Sequence, residues 1–205
     1  MNENILKFYL EAIKLKEVIR TGWKEVGVSD EKIENVADHV FGCMALTFGI
    51  TSEKDITDLD LIKVFKMIFA KELIKSVSME QSITSKEDNQ AAKRNALVEL
   101  TDGLAIQSEL VSLYDEAIEL SSKEAKFALY VSKLESDIQA KKYELEGEFT
   151  LENALADIEN YPEDIKSEIK GQVENASDGW ILFDRRYYDN EETFVSLSKD
   201  VQNLK

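Results

Sequence analysis

The feature that most constrains this chain is its scarcity of backbone breakers. Its 205 residues include one proline and eight glycines, and apolar residues recur at helical rather than alternating spacing. The first segment, residues 3–20, sets Ile5, Tyr9, Ala12, Ile13, Lys16 and Ile19 near one stripe, and Gly22 after it suits a helix stop. Ser29 or Asn35 opens a second helix that runs to Gly49. Asp58 or Asp60 caps a third, Leu61 to Ala70, whose apolar residues are too nearly continuous for a surface position and place it at the centre. Residues 76–90 have no strong period and read as a loop. Helices resume over 86–101, 106–119 and 122–146, the last opened by Ser122 with Glu124 in its first turn. Shorter ones follow at 151–159, onward to Ala176, and at 191–203. No repeat, low-complexity tract or linker divides the sequence. The expectation is an all-α, single-domain bundle over 1–205, with a core at about 1–146 and a C-terminal helical extension at about 147–205.

Charge narrows the function. There are 41 Asp and Glu against 25 Lys and Arg, a formal net charge of -16. Such a balance opposes broad binding of nucleic acid or anionic membrane but leaves room for one small anion in a local basic pocket. No apolar run is long enough for a membrane span. The start, Met-Asn-Glu-Asn, lacks the basic and apolar regions of a signal peptide. The lone Cys43, inside the apolar run Val40 to Leu46, reads as a buried structural thiol. Together these features point to the cytoplasm.

Catalytic chemistry is bounded by counting. A His-rich transition-metal site draws on several His or Cys ligands, and the chain has one of each, His39 and Cys43. A Ser-His-Asp triad would have to use His39, and no Gly-x-Ser-x-Gly elbow is present. Phosphate-loop and dinucleotide fingerprints are absent as well. A carboxylate-only Mg²⁺ or Ca²⁺ site stays open, although most of the acids read as solvated helix faces.

Four stretches carry a resemblance: Leu15 to Trp23 (LKEVIRTGW), Glu34 to His39 (ENVADH), Met67 to Lys75, and Ser132-Lys133-Leu134-Glu135. In this order they resemble the signatures of HD-domain, 5'-deoxynucleotidase-like phosphohydrolases, and the ending from Trp180 to Tyr188 looks like one branch of that family. The resemblance implies an HD-domain helical bundle that releases phosphate from deoxynucleoside 5'-monophosphates. In such proteins two histidines and two acids hold one divalent metal (Mn, Co, Zn or Mg), and a glutamate works with the metal-bound water.

Position by position, the resemblance makes His39 the first histidine and Glu72 the acid of the His-Asp pair. Lys71 stands in place of the second histidine, Ser132 in place of the last aspartate and Lys75 in place of the working glutamate. Glu80 falls near a further substrate-side acid, and Arg20 and Trp23 match positions beside the nucleotide's phosphate and sugar. Only two of the four metal ligands survive. Asp137 is a poor substitute for the missing acid, since five residues along a helix turn it about 140° from Ser132.

Lys71 and Lys75 balance Glu72 and Glu80 without an ion, and an ammonium at 71 repels a divalent cation by several kcal/mol at an effective dielectric of ~20 and ~4–6 Å. The expectation is therefore a pseudoenzyme without a metal, in which Lys71 bridges Glu72 and His39. It would bind a nucleoside monophosphate, another small anion or a protein partner, and pair as a homodimer as its relatives do. The alternatives are an active phosphohydrolase with a rebuilt metal site and a structural subunit with no small ligand. Plainer readings stand beside each residue: a satisfied buried His39, a surface Arg20, a core Trp23, and a solvated edge at Lys71 and Lys75. The aromatic cluster from Trp180 to Tyr188, with Arg185 and Arg186, reads as core packing or a dimer contact rather than a nucleic-acid platform.

Overall fold

The computed structural model describes residues 2–53, 58–77 and 86–205, with only the backbone of 86–88. Among these residues the chain forms eleven α-helices and no strand; its β pairing is a single isolated antiparallel bridge between Ile19 and Asn35. No described helix is long and apolar enough to cross a membrane. Contacts divide the chain into two units, Met1–Ile19 with Asn35–Leu129 and Arg20–Glu34 with Tyr130–Lys205.

The first unit contains α1 (Asn2–Ala12), α3 (Val36–Glu53), α4 (Leu61–Leu73), α5 (Lys86–Leu100), α6 (Gln107–Glu119) and the first turns of α7 (Lys123–Leu145). Its core surrounds α4, where Ala70, Leu73 and Ile74 meet Leu97, Leu110, Val111 and Tyr114. Most of the nearly continuous apolar run of α4 goes into this core, with Val64, Met67, Ile68, Ala70 and Leu73 buried, while Ile62 stays exposed. Helix starts follow local side-chain caps. Asn35 and Asp38 bond each other's backbone N–H, at 2.9 and 3.1 Å. Asp60 Oδ1 accepts from Lys63 N at 3.1 Å, and Ser122 Oγ from Ala125 N at 3.1 Å.

The first helix ends earlier than its periodicity implies. It tightens into a 3₁₀ turn at Ile13–Lys16, and Val18 then accepts a bond from Val36 N at 2.8 Å while Ile19 bridges Asn35. Two β-branched residues with a partner further along the chain favour this extended exit over another helical turn. Thr21 and Gly22, which suit a stop, instead begin α2 (Thr21–Glu25).

The second unit holds α2, the rest of α7, α8 (Leu151–Ile158), α9 (Glu163–Ile169), α10 (Asp178–Arg185) and α11 (Glu192–Gln202). One cluster packs Trp23, Val26, Val28 and Ile33 on Ala140, Tyr143, Phe149 and Ala154. Another joins Ile158, Ile165 and Ile169. Gly179 sits where a Cβ would come 2.7 Å from Ile158 Cδ1, so glycine lets α10 approach closely. Most of the aromatic run on α10 and just after it packs inward, while Tyr187 stays exposed. Trp180 stacks on Trp23 with centroids 4.4 Å apart, Phe183 tilts on Tyr161 at 4.9 Å, and Tyr188 lies 5.7 Å from Phe194.

Candidate functional site

In the first unit, α3 supplies His39 and the end of α4 supplies Lys71 and Glu72, with Lys75 in the 3₁₀ turn that follows. His39 and Glu72 are buried. Lys75 Nζ donates to Glu72 Oε2 at 2.6 Å; the lysine side chain is 46% exposed and the glutamate 8%, so an ammonium reaches in from solvent to a buried carboxylate. Burial pushes the Glu72 carboxyl up, but the charges of Lys75 and His39, the Lys75 bond and the charge of Lys71 outweigh it and hold the group below its ordinary value. Glu72 is therefore a carboxylate at neutral pH. Lys75 makes an ion pair with Glu72, and the charge of Lys71 adds to it.

One turn beyond His39, the buried Cys43 places its sulfur 3.7 Å from Nε2 and 3.9 Å from Nδ1. Read alone, the thiol looked structural; its i,i+4 spacing from the only histidine is the signal that sets the two side by side. The donors fit the expected ion poorly. A lysine ammonium has no lone pair to give, and one Glu72 oxygen is held by Lys75. The residues at the family positions therefore do not make the two-histidine, two-acid set. His39 and Cys43 are instead donors of the softer kind that suits zinc.

The second unit contains the other expected residues. Arg20 pairs with Glu34, donates to Ser136 Oγ at 2.9 Å and lies 3.6 Å from Glu135. Its side chain is 17% exposed, too enclosed for an ordinary surface arginine. Trp23 is buried, donates its indole N–H to Glu34 at 2.9 Å, and has Trp180 over its ring and Tyr143 at an edge. A phosphate reaching Arg20 would compete with two carboxylates already there. Ser132 is half-buried, and its carbonyl accepts from Ser136 Oγ at 3.1 Å. Asp137 is fully buried and takes the Tyr188 hydroxyl at 2.9 Å. Glu80 lies outside the described residues.

Known proteins supply the context for this geometry. A family model described as HD domain matches residues 12–172. The 5'-deoxynucleotidase HDDC2 of Dictyostelium discoideum is 30% identical over 152 residues, covering 69% of this chain and 78% of that protein. Its Danio rerio counterpart is 32% identical over 152 residues, covering 71% and 72%. Among solved structures, a conserved hypothetical protein from Pyrococcus furiosus superposes with a TM-score of 0.66 at 22% identity, covering 97% of this chain and 99% of the other. The PH0347 protein of Pyrococcus horikoshii OT3 gives 0.60 at 27% identity, with the same coverage. The chain belongs to the HD-domain family, on its 5'-deoxynucleotidase-like branch.

Proposed function

We propose that this chain is a divergent HD-domain protein that binds a nucleoside monophosphate or a similar small anion without hydrolysing it. The observation that carries the reading is the ion pair of Lys75 with the buried Glu72, at 2.6 Å, on a carboxylate that the family spends on its ion. Lys71 adds a second positive charge beside the same group. Charge balance is then internal, and an anion gripped by Arg20 has to displace it from Glu34 and Glu135. The curated relatives are called 5'-deoxynucleotidases, which motivates deoxynucleoside monophosphates as the first ligands to try. Pairing of two copies belongs to the same proposal.

The test combines metal content of the purified protein with phosphate release from dAMP. Sub-stoichiometric metal and no release are expected; stoichiometric metal with turnover would sink the reading. The triple change Lys71→His, Lys75→Glu and Ser132→Asp should restore divalent-metal binding, and no gain in affinity would mean that the cavity itself has been rebuilt. A second reading, an active metal-dependent phosphohydrolase with a new donor set, has one observation in its favour: the Cys43 sulfur 3.7 Å from His39 Nε2. Under that reading Cys43→Ser removes both metal and turnover, whereas under the first it changes neither.

A further inference from the structure

Within the first unit, residues 101–106 turn the chain from α5 into α6, and the turn carries the dipeptide Asp102-Gly103. We propose that Asp102 is a site of spontaneous isoaspartate formation, through a succinimide closed on the nitrogen of Gly103, and that the rearrangement loosens α1.

The step needs no reagent beyond water. The Gly103 backbone nitrogen attacks Cγ of the protonated Asp102 side chain, an N–C bond forms, and the carboxyl oxygen leaves as water with the amide proton. The five-membered imide then takes water back at either carbonyl. Opening at the main-chain carbonyl leaves the peptide bond on the side chain and gives isoaspartate; opening at the other restores aspartate. Both residues lie at the surface. Among the described residues the Asp102 carboxylate takes no hydrogen bond or ion pair, and the Gly103 N–H donates none, so neither reacting group gives up a partner. Gly103 stands at φ +73°, and a Cβ there would lie 2.1 Å from Asn4 Nδ2. The turn therefore demands glycine, and no side chain at 103 shields the attacking nitrogen.

The same dipeptide recurs as Asp178-Gly179 at the start of α10, where the fold closes it off. Asp178 is 1% exposed. Its Oδ2 accepts from the backbone N–H groups of Glu174 and Asn175 at 2.9 and 2.7 Å, and its Oδ1 from Gln202 Nε2 at 2.8 Å. Gly179 packs against Ile158. Imide closure at 178 has to break these bonds and open the helix start, whereas closure at 102 breaks none. The product at 102 also has a neighbour to disturb. Isoaspartate adds a methylene to the main chain directly before Gly103, whose carbonyl accepts from Asn4 Nδ2 of α1 at 3.3 Å.

The experiment holds the full chain for several weeks at mildly acidic pH, folded and in parallel in concentrated urea. Electron-transfer fragmentation of the tryptic peptides then separates aspartate from isoaspartate. In the folded chain isoaspartate at 102 should exceed that at 178 by about tenfold or more, while in urea the two sites should convert alike. Asp102→Asn, which loses ammonia instead of water, should reach isoaspartate faster. Asp102→Glu, whose imide ring is larger, should slow the rearrangement. Amides of α1 should exchange with deuterium faster in the converted fraction than in fresh protein. A folded chain that converts at neither site, or equally at both, would overturn the proposal. So would a difference between the sites that persists in urea, since local sequence would then set it rather than the fold. Unchanged exchange in α1 would overturn the effect on that helix.

Discussion

Asp137 shows what a single residue costs in this fold. It is fully buried on α7, and Tyr188 donates to its Oδ2 at 2.9 Å while its Oδ1 has no donor among the described residues. Burial first, and then the charge of Asp184, push its carboxyl well above the ordinary value. A folded pKa above the unfolded one means that the native state holds the proton more tightly. Stability therefore falls as pH rises from the unfolded value to the folded one, and that loss is what the buried acid costs. Asp137→Asn keeps an acceptor for Tyr188 and removes that cost. It should stabilise the protein by about 1–3 kcal/mol at pH 8, and the gain should vanish near pH 3, where the wild-type group is protonated whether folded or not. Urea unfolding of both proteins at the two pH values checks this, and equal stability at pH 8 would show that Asp137 ionises without cost. At this scale the sequence was uneven. Lys71, Lys75 and Ser132 were visible at once as departures from a pattern. That Lys75 makes the ion pair on Glu72 required knowing that the chain tightens into a 3₁₀ turn after α4. That Cys43 lies against His39 required reading the two residues together rather than separately.

Elements were legible where their ends are local. Over 61–73 and 123–145 the observed helices fall within a few residues of the apolar periods, because Asp60 and Ser122 cap the next turn with their own side chains. The α1 stripe failed because its end is set by the Ile19–Asn35 bridge, a partner well outside any helical window. That bridge adjoins the start of α3, where Asn35 and Asp38 cap each other's backbone. Asn35→Ala should cost about 1 kcal/mol, lowering the melting temperature by roughly 2–4 °C for a chain of this size. Asp38→Ala should cost a similar amount, and the double variant less than the sum, because the two bonds form one reciprocal cap. Thermal melts of the three variants decide it; strict additivity would mean that each bond acts independently.

For the molecule as a whole, net charge competes with apolar contact. Each chain carries a formal charge of -16, so two copies repel at low ionic strength. The surface ion pairs do not reverse that balance, since exposed pairs such as Lys24–Asp30 and Lys142–Glu146 contribute ~0–1 kcal/mol each and are screened by the same salt. The first unit also exposes large apolar side chains, Phe41 at 74% among them, and burial of such groups depends little on moderate salt. The proposed homodimer, if apolar contact drives it, must therefore tighten as salt screens the like charges, the Debye length falling from ~14 Å to ~4 Å between roughly 0.05 and 0.5 M NaCl. Sedimentation equilibrium at those two concentrations should show the dissociation constant falling by about an order of magnitude. A constant that rises with salt would mean that pairing runs on ion pairs between the chains, and the surface acids would then be part of an interface rather than the source of its repulsion.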